Sequence, residues 1–342
     1  MTLALNIDEK LAVRPVTFDD LPAVVDLINT VSLFENGEPN TSLEGLRKEW
    51  HSPHFNPETD AWLVTSAEGG VVAYGEAWLS PPYVRLHLWG CVHPDWRRQG
   101  IGTRLMALTE ARAAQAISLA PEGARVAMAC GANNNNAGGR SLHTGRGFEL
   151  VRHFWTMKIE LDPDAPPPVA VWPEGLRLRP FDAERDARAV YRAMDEAFSD
   201  HFGHVPRPED EDFQEWWYWM GEGDQYDPAL WFIAVADTPE GEAVAGISLC
   251  RPYSTQDPDM GWVSQLAVRK PWRRLGLGLA LLQHSFNVFY ERGKARVGLG
   301  VDASNPTGAT RLYEKAGMHV TRQWDRYEKE VRPGEELVNL GE

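Results

Sequence analysis

The chain has 342 residues, 43% of them hydrophobic and 24% charged, a composition suited to two folded domains. Its 49 acidic and 34 basic residues leave a formal charge of -15, which argues against a broad nucleic-acid-binding face. No stretch reaches roughly 18 nearly uncharged apolar residues, so no membrane span is expected. Three cysteines, Cys91, Cys130 and Cys250, cannot build a disulfide framework, and none lies in a metal-ligand spacing. The start, MTLALNIDEKLAVRP, lacks a basic opening and turns polar at once. It does not read as a leader, and a cytoplasmic location is expected.

The first strand is expected at Leu11 to Pro15, with a helix near Asp19 to Val31. Two strands come after it, Ala61 to Thr65 and Val71 to Trp78, and then a third, Arg85 to Val92. Next come a turn, a helix opening on glycines, a strand over Arg125 to Cys130, and a helix ending near Gly147. The stacked prolines Pro166, Pro167 and Pro168 cannot continue a helix or an inner strand. They place a linker at 163–173 between domains at 1–162 and 174–342.

The order then repeats. Leu176 to Pro180 restates the first strand, and a helix is expected over Ala183 to Phe198. Strands are expected at Trp231 to Ala236, Ala243 to Cys250 and Gly261 to Val268. In the next helix, Leu279, Leu282, Phe286 and Phe289 recur at helical spacing and predict its buried face. A strand over Arg296 to Val301 and a helix ending near Gly317 complete the copy. The fold class is α/β (α+β), with a mixed sheet in each half. Of the run Trp216-Trp217-Tyr218-Trp219, at least one ring is expected to face a cleft or the other domain, because four adjacent side chains cannot share one helical face.

The repeat carries a motif. Val92 is followed by Arg97, Arg98, Gly100, Gly102 and Thr103; Val268 is followed by Arg273, Arg274, Leu275, Gly276, Leu277, Gly278 and Leu279. Both reduce to Arg-x-x-Gly-x-Gly between a strand and a helix. Glycines there let backbone approach a phosphate, and the first helical amides hold its charge. The four arginines add positive potential. The Lys-Ser/Thr ending of nucleotide-hydrolysing loops is absent, and the glycines do not follow each half's first strand as in dinucleotide folds.

With these residues, nearly the whole chain, 11–161 and 176–331, resembles two tandem GCN5-related N-acetyltransferase (GNAT) folds. The tandem layout is similar to that of mycothiol synthase-like bacterial acetyltransferases. The resemblance implies acetyl-CoA as donor, with CoA as product. It implies a splayed central sheet, with pantetheine against the backbone of Leu266, Ala267 and Val268. Cys91, Val92 and Arg97 to Thr103 offer the first half the same possibility.

The halves differ further on. Asn305 and Tyr313 in the second half fit the family's Asn and Tyr positions, with an extra offset. The resemblance implies a phenol at Tyr313 that protonates the departing thiolate, and an Asn305 that bonds pantetheine or its own loop. His143 takes the tyrosine place in the first half, which puts that half's activity in doubt and makes it a supporting domain. Many relatives have a strand glutamate where this chain has Trp262 and Leu86, so the base is unassigned. Asp259, His201, His204 and Glu215 are candidates. On strand alternation, Gln265 is expected on the same side as Val263 and Ala267.

The acceptor is expected to be the amine of a small molecule. Glu209, Asp210, Glu211, Asp212 and Glu215, beside Trp216 and Trp217, favour a cationic one. A monomer or homodimer that binds neither nucleic acid nor membrane is expected. The rival reading is a non-catalytic acyl-CoA-binding regulator or scaffold.

Overall fold

A computed structural model describes residues 11–305 and 307–341. The first ten residues, read above as no leader, lie outside the described residues. The first half contains β1 (Leu11–Pro15), α1 (Leu21–Asn36), α2 (Leu43–Trp50), α3 (Pro57–Asp60), β2 (Ala61–Ser66), β3 (Val71–Trp78), β4 (Arg85–Val92), α4 (Ile101–Ala116), β5 (Val126–Asn133), α5 (Ala137–Gly145) and β6 (Glu149–Glu160). The second half contains β7 (Leu176–Pro180), α6 (Ala183–Phe198), α7 (Glu209–Met220), β8 (Trp231–Thr238), β9 (Gly241–Arg251), β10 (Met260–Val268), α8 (Leu277–Glu291), β11 (Arg296–Asp302), α9 (Ala309–Lys315) and β12 (His319–Arg332).

The chain divides into two compact units, and each is discontinuous in sequence. The first runs to Arg152 and adds Trp324–Leu337; the second takes His153–Gln323 and resumes at Val338. The proline-rich segment at 163–173 therefore lies inside the second unit. In the first unit, β1, β2, β3 and β4 pair antiparallel in order, β4 meets β5 in parallel, and Trp324 to Arg332 of β12 pair antiparallel with β5. In the second unit, β7, β8, β9 and β10 adopt the same pattern, β10 meets β11 in parallel, and Phe154 to Glu160 of β6 pair antiparallel with β11.

Helices cover both faces of each sheet. In the first unit, Leu21, Val24, Leu27 and Ile28 of α1 and Leu46 and Trp50 of α2 pack with Leu63 and Tyr74. Ile101 and Leu105 of α4 pack with Val64, Val72 and Ala73. In the second unit, α6 starts with Asp182 accepting from the Arg185 amide, and it buries Val190, Tyr191 and Ala197 against Ile233, Val235 and Ile247. On the other face, α8 buries Leu277, Leu281, Leu282, Phe286 and Phe289. Each Phe contributes about 1.5–3 kcal/mol by leaving water. Leu279, expected on that buried face, is half-buried; Leu277 and Leu281 take its place at the i, i+4 spacing.

One expectation about strand parity fails. The ladder between β9 and β10 pairs Val263 with Cys250 and then Gln265 with Leu249, which leaves Ser264 as a bulge. The extra residue reverses the facing of the strand beyond it. Val263 packs with Phe286 and Phe289, whereas Ala267 packs with Val190 and Trp216. Gln265 accepts from Trp216 Nε1 at 3.1 Å, so it shares a side with Ala267 and not with Val263. In the first unit the β3–β4 register runs unbroken from Trp78–His87 to Ala73–Val92.

Candidate active site

The central strands part in both units. β10 and β11 are in register from Met260–Arg296 to Val263–Leu299, and no further. Beyond Val263, β10 pairs only with β9, while β11 continues beside β6 to Asp302. Ser264 to Val268 therefore present one backbone edge to the gap, which an extended ligand can meet as an added strand. Leu266 and Val268 rest on the α8 face and Ala267 on the α6–α7 face. In the first unit the parallel register ends at His87–Ala129, leaving the edge from Leu88 through Cys91 to Val92 unpaired toward β5.

Each gap ends at its glycine turn. Arg274 and Gly276 have φ of 66° and 91°, and Arg98 and Gly100 have 64° and 79°. Alternating left-handed residues turn successive amides inward, which forms an anion-binding nest. Gly276 and Gly100 are the N-caps of α8 and α4. A Cβ on Gly278 would stand 3.0 Å from Leu312 Cδ1, and one on Gly102 3.4 Å from Leu142 Cδ2. The backbone there has room for a phosphate only without a side chain. Leu275 is 56% exposed, and Arg98, Arg274 and Thr103 are exposed as well.

The arginines divide the work in a way sequence did not show. Arg273 Nε donates to the Val268 carbonyl at 3.1 Å, and its other nitrogens donate to Asp200 at 3.0 Å and the Ala197 carbonyl at 2.9 Å. Arg97 likewise donates to the Val92 carbonyl at 3.2 Å and to Glu35 at 2.7 Å. Both guanidiniums clasp strand end, turn and preceding helix together. Arg98 and Arg274, exposed beside the turns, are the ones with charge to offer a phosphate. Glu35 also accepts from Asn133 at 3.2 Å and Asn136 at 2.8 Å. Burial pushes Asp200 up, but the hydrogen bond and charge of Arg273 outweigh this and hold it below the usual carboxylate range.

Leu312 and Leu142 touch equivalent glycines, so the residues after them, Tyr313 and His143, occupy equivalent places. Tyr313 is 8% exposed, and its hydroxyl makes no hydrogen bond within the described residues. Burial raises it to about 12, which keeps the phenol protonated. His143 is also buried; its Nε2 lies 3.3 Å from the Gly131 carbonyl, and its Nδ1 has no partner. Burial lowers it, and the Gly131 bond only partly offsets this. Asn305 uses Oδ1 inside its own loop, accepting from the Thr307 amide at 2.8 Å and the Thr307 hydroxyl at 2.5 Å.

The base candidates separate clearly. Asp259 is exposed and precedes β10, about 13 Å along the strand from where the strands part. Glu215 accepts from Arg207 at 2.7 Å, and His204 is bound to Asp195 at 2.8 Å. His201 lies just beyond α6, edge-on to Phe198 and 3.8 Å from Asp200, the partner of Arg273. Burial lowers it, against the favourable charges of Asp200 and Asp302. It is neutral at neutral pH and able to accept a proton.

The acidic face of α7 is largely engaged. Arg188 pairs with Asp210 at 2.7 Å, Arg192 with Glu209 at 2.8 Å and Arg207 with Asp212 at 3.0 Å. Of its aromatics, Trp216 is buried, while Trp217, Tyr218 and Trp219 are half-buried. Trp217 stacks with Phe213 and meets Trp231 edge-on.

Splayed parallel strands, a free backbone edge and a glycine nest mark the fold of the acetyl-CoA-dependent acetyltransferases, present here as a tandem. Residues 188–318 match the model described as "Acetyltransferase (GNAT) family", and 58–150 match "Acetyltransferase (GNAT) domain". A mycothiol acetyltransferase of Thermobispora bispora is 31% identical over 66% of this chain and 70% of that one. Another, of an Arthrobacter species, is 29% identical over 68% of this chain and 66% of that one. The matches thus span about two thirds of these relatives' length. The crystal structure of a GCN5-related N-acetyltransferase from Sphaerobacter thermophilus superposes with a TM-score of 0.79 at 35% identity, covering 96% of this chain and 98% of that one. The chain belongs to the GCN5-related N-acetyltransferase family. Among the described residues, no helix is long and apolar enough to cross a membrane.

Proposed function

We propose that the second unit moves the acetyl group to the primary amine of a small molecule, with Tyr313 as proton donor and His201 as proton acceptor. The observation that carries this reading is the Tyr313 hydroxyl: buried, protonated and without a partner among the described residues, on a helix packed against the Gly278 turn. Acetyl-CoA, when bound, supplies an acetyl group already activated as a thioester. The backbone edge of Leu266 to Val268 would hold its pantetheine arm, and Gly276, Leu277, Gly278 and Leu279 its pyrophosphate, with Arg274 adding charge. Tyr313 Oη would give its proton to the thiolate as the bond to sulfur breaks. His201 would take the proton the amine loses, directly or through water. No cysteine need become a nucleophile: burial raises Cys250 to about 11, so its thiol stays protonated.

Because arginines engage most α7 carboxylates, that helix lends a cationic acceptor less support than its sequence suggests. An acceptor like that of the mycothiol acetyltransferases is the first to try. The first unit keeps the nest and the splay, so it is expected to bind acetyl-CoA as well. Tyr313→Phe is the direct test. It should lower kcat by roughly 100-fold and leave KM for acetyl-CoA within about twofold. Unchanged turnover would remove Tyr313 from the reaction, and no acetyl transfer to any amine by the parent would favour a binding protein.

A further inference from the structure

The loop that carries His201 has little structure of its own. Residues 199–208 join α6 to α7. Their local bonds run from the His201 amide to the Phe198 carbonyl at 2.9 Å, from the His204 amide to the His201 carbonyl at 3.3 Å, and from the Ser199 hydroxyl to the Glu196 carbonyl at 2.8 Å. Gly203 has φ of 95°, a left-handed turn that glycine permits but does not enforce. Left to itself, such a loop gives its other backbone groups to water and samples many conformations.

One distant residue of the same unit takes three of those groups. The chain re-enters the second unit at Val338, which is buried, and Asn339 follows it. Asn339 Nδ2 donates to the Ser199 carbonyl at 2.9 Å. Its backbone amide donates to the His204 carbonyl at 2.8 Å, and its carbonyl accepts from the Gly203 amide at 2.8 Å. These contacts bracket His201 in the chain, with Ser199 before it and Gly203 and His204 after it. Asn339 is itself held, because its Oδ1 accepts from the Gly341 amide at 2.7 Å.

The bracket encloses the proton acceptor and the carboxylate beside it. His201 is half-buried, with its ring centre 4.6 Å from that of Phe198. Asp200 Oδ2 is held by Arg273 at 3.0 Å. Its Oδ1 is buried, takes no hydrogen bond from another described residue, and stands 3.8 Å from His201 Nε2. A carboxylate oxygen in that place favours the ring's charge once the ring has taken a proton. The other charged and titratable groups facing His201 are Arg273 from the turn after β10, Asp302 from the end of β11, and His204 from the loop itself. Arg273 holds the Asp200 side chain, whereas the backbone on both sides of His201 is held by Asn339. Displacing a catalytic group by about 1 Å costs on the order of 100-fold in rate.

We propose that Asn339 is a positioning residue for the transfer reaction, which locks both flanks of His201 and so keeps its imidazole enclosed beside Asp200 and in reach of the amine's proton. Asn339 acts through the loop and touches no reacting atom. The inference rests on the reading of His201 as proton acceptor.

The deciding measurement is the ring titration of His201 in the full chain, followed by histidine-selective NMR and assigned by its loss in His201→Gln. It needs no acceptor. Burial holds His201 below the ordinary histidine range. Loosening the loop returns the ring to water, so Asn339→Ala should raise the titration midpoint by about half a pH unit or more. Asn339→Pro, which lacks the amide that holds His204, should raise it at least as far. With an amine that the parent acetylates, Asn339→Ala should lower kcat about tenfold, move the acid limb of the pH profile upward with the ring, and leave KM for acetyl-CoA within about twofold. A titration unmoved in both variants would overturn the proposal, whatever happens to Tm. So would undiminished kcat in Asn339→Ala where His201→Gln is inactive. Full turnover by His201→Gln would remove the base reading itself, and this inference with it. Should Asn339→Ala fail to fold, Asn339→Ser takes its place.

Discussion

At the scale of single residues, burial sets the proton inventory of the proposed site. Tyr313 is raised to about 12, so its phenol remains a donor over any practical pH range. His201 is lowered, chiefly by burial, and must be neutral to accept a proton. Activity should then persist below the ordinary histidine range and fall only on stronger acidification. A pH profile of kcat/KM reads this directly, and His201→Gln should erase the acid limb; an unchanged limb would assign it elsewhere. Tyr313 could be proposed from sequence because its motif is local. Choosing His201 over His204, Glu215 and Asp259 needed the fold, since each candidate's fate depends on a partner or a position that spacing does not specify.

Glu49 gives a second residue-scale expectation, in stability. Burial first, and then the Glu76 carboxyl, push it up to about 8, above the ordinary glutamate value of 4.5. The folded state thus holds the extra proton between those values, and this contribution weakens as pH rises through about 8. The first unit should melt at a lower temperature at about pH 8.5 than at about pH 6, and Glu49→Gln should flatten that dependence. Differential scanning calorimetry of the parent and the variant measures it.

At the scale of elements, the turn is where backbone geometry decides binding. Gly278 has Leu312 3.0 Å from where a Cβ would stand. Gly278→Val should displace α9 or fill the nest, and remove one acetyl-CoA site by titration; full stoichiometry would place that ligand differently. The Arg-x-x-Gly-x-Gly pattern was legible because left-handed backbone at Gly100 and Gly276 favours glycine. The two clasps were not. Arg273 and Asp200 stand 73 residues apart, and Arg97 and Glu35 stand 62 apart. The bulge at Ser264 also leaves no compositional sign, so alternation put Gln265 on the wrong side relative to Val263.

At the scale of the whole molecule, the last strands of the halves are exchanged between units. β6 pairs through Phe154 to Glu160 with β11, and β12 pairs through Trp324 to Arg332 with β5. Cutting in the 163–173 segment therefore separates each sheet from one of its strands. Fragments 1–162 and 174–342 expressed apart should self-associate through the bare edges of β5 and β11. Expressed together, they should form a one-to-one complex of the parent's size. Size-exclusion chromatography tests this; two well-behaved monomeric fragments would show the exchange to be dispensable.

The sequence by itself determined the repeat, the glycine turns, the strand and helix order and the acetyltransferase family, since all of these arise from local backbone demands and short-range periodicity. Tertiary structure alone decided which strand finishes each sheet, which arginines clasp and which stay free, and which carboxylates are paired. It also decided that Glu49 stands enclosed beside Glu76. Strand exchange, ion pairing and burial arise from contacts between residues far apart in the chain, and no local pattern encodes them.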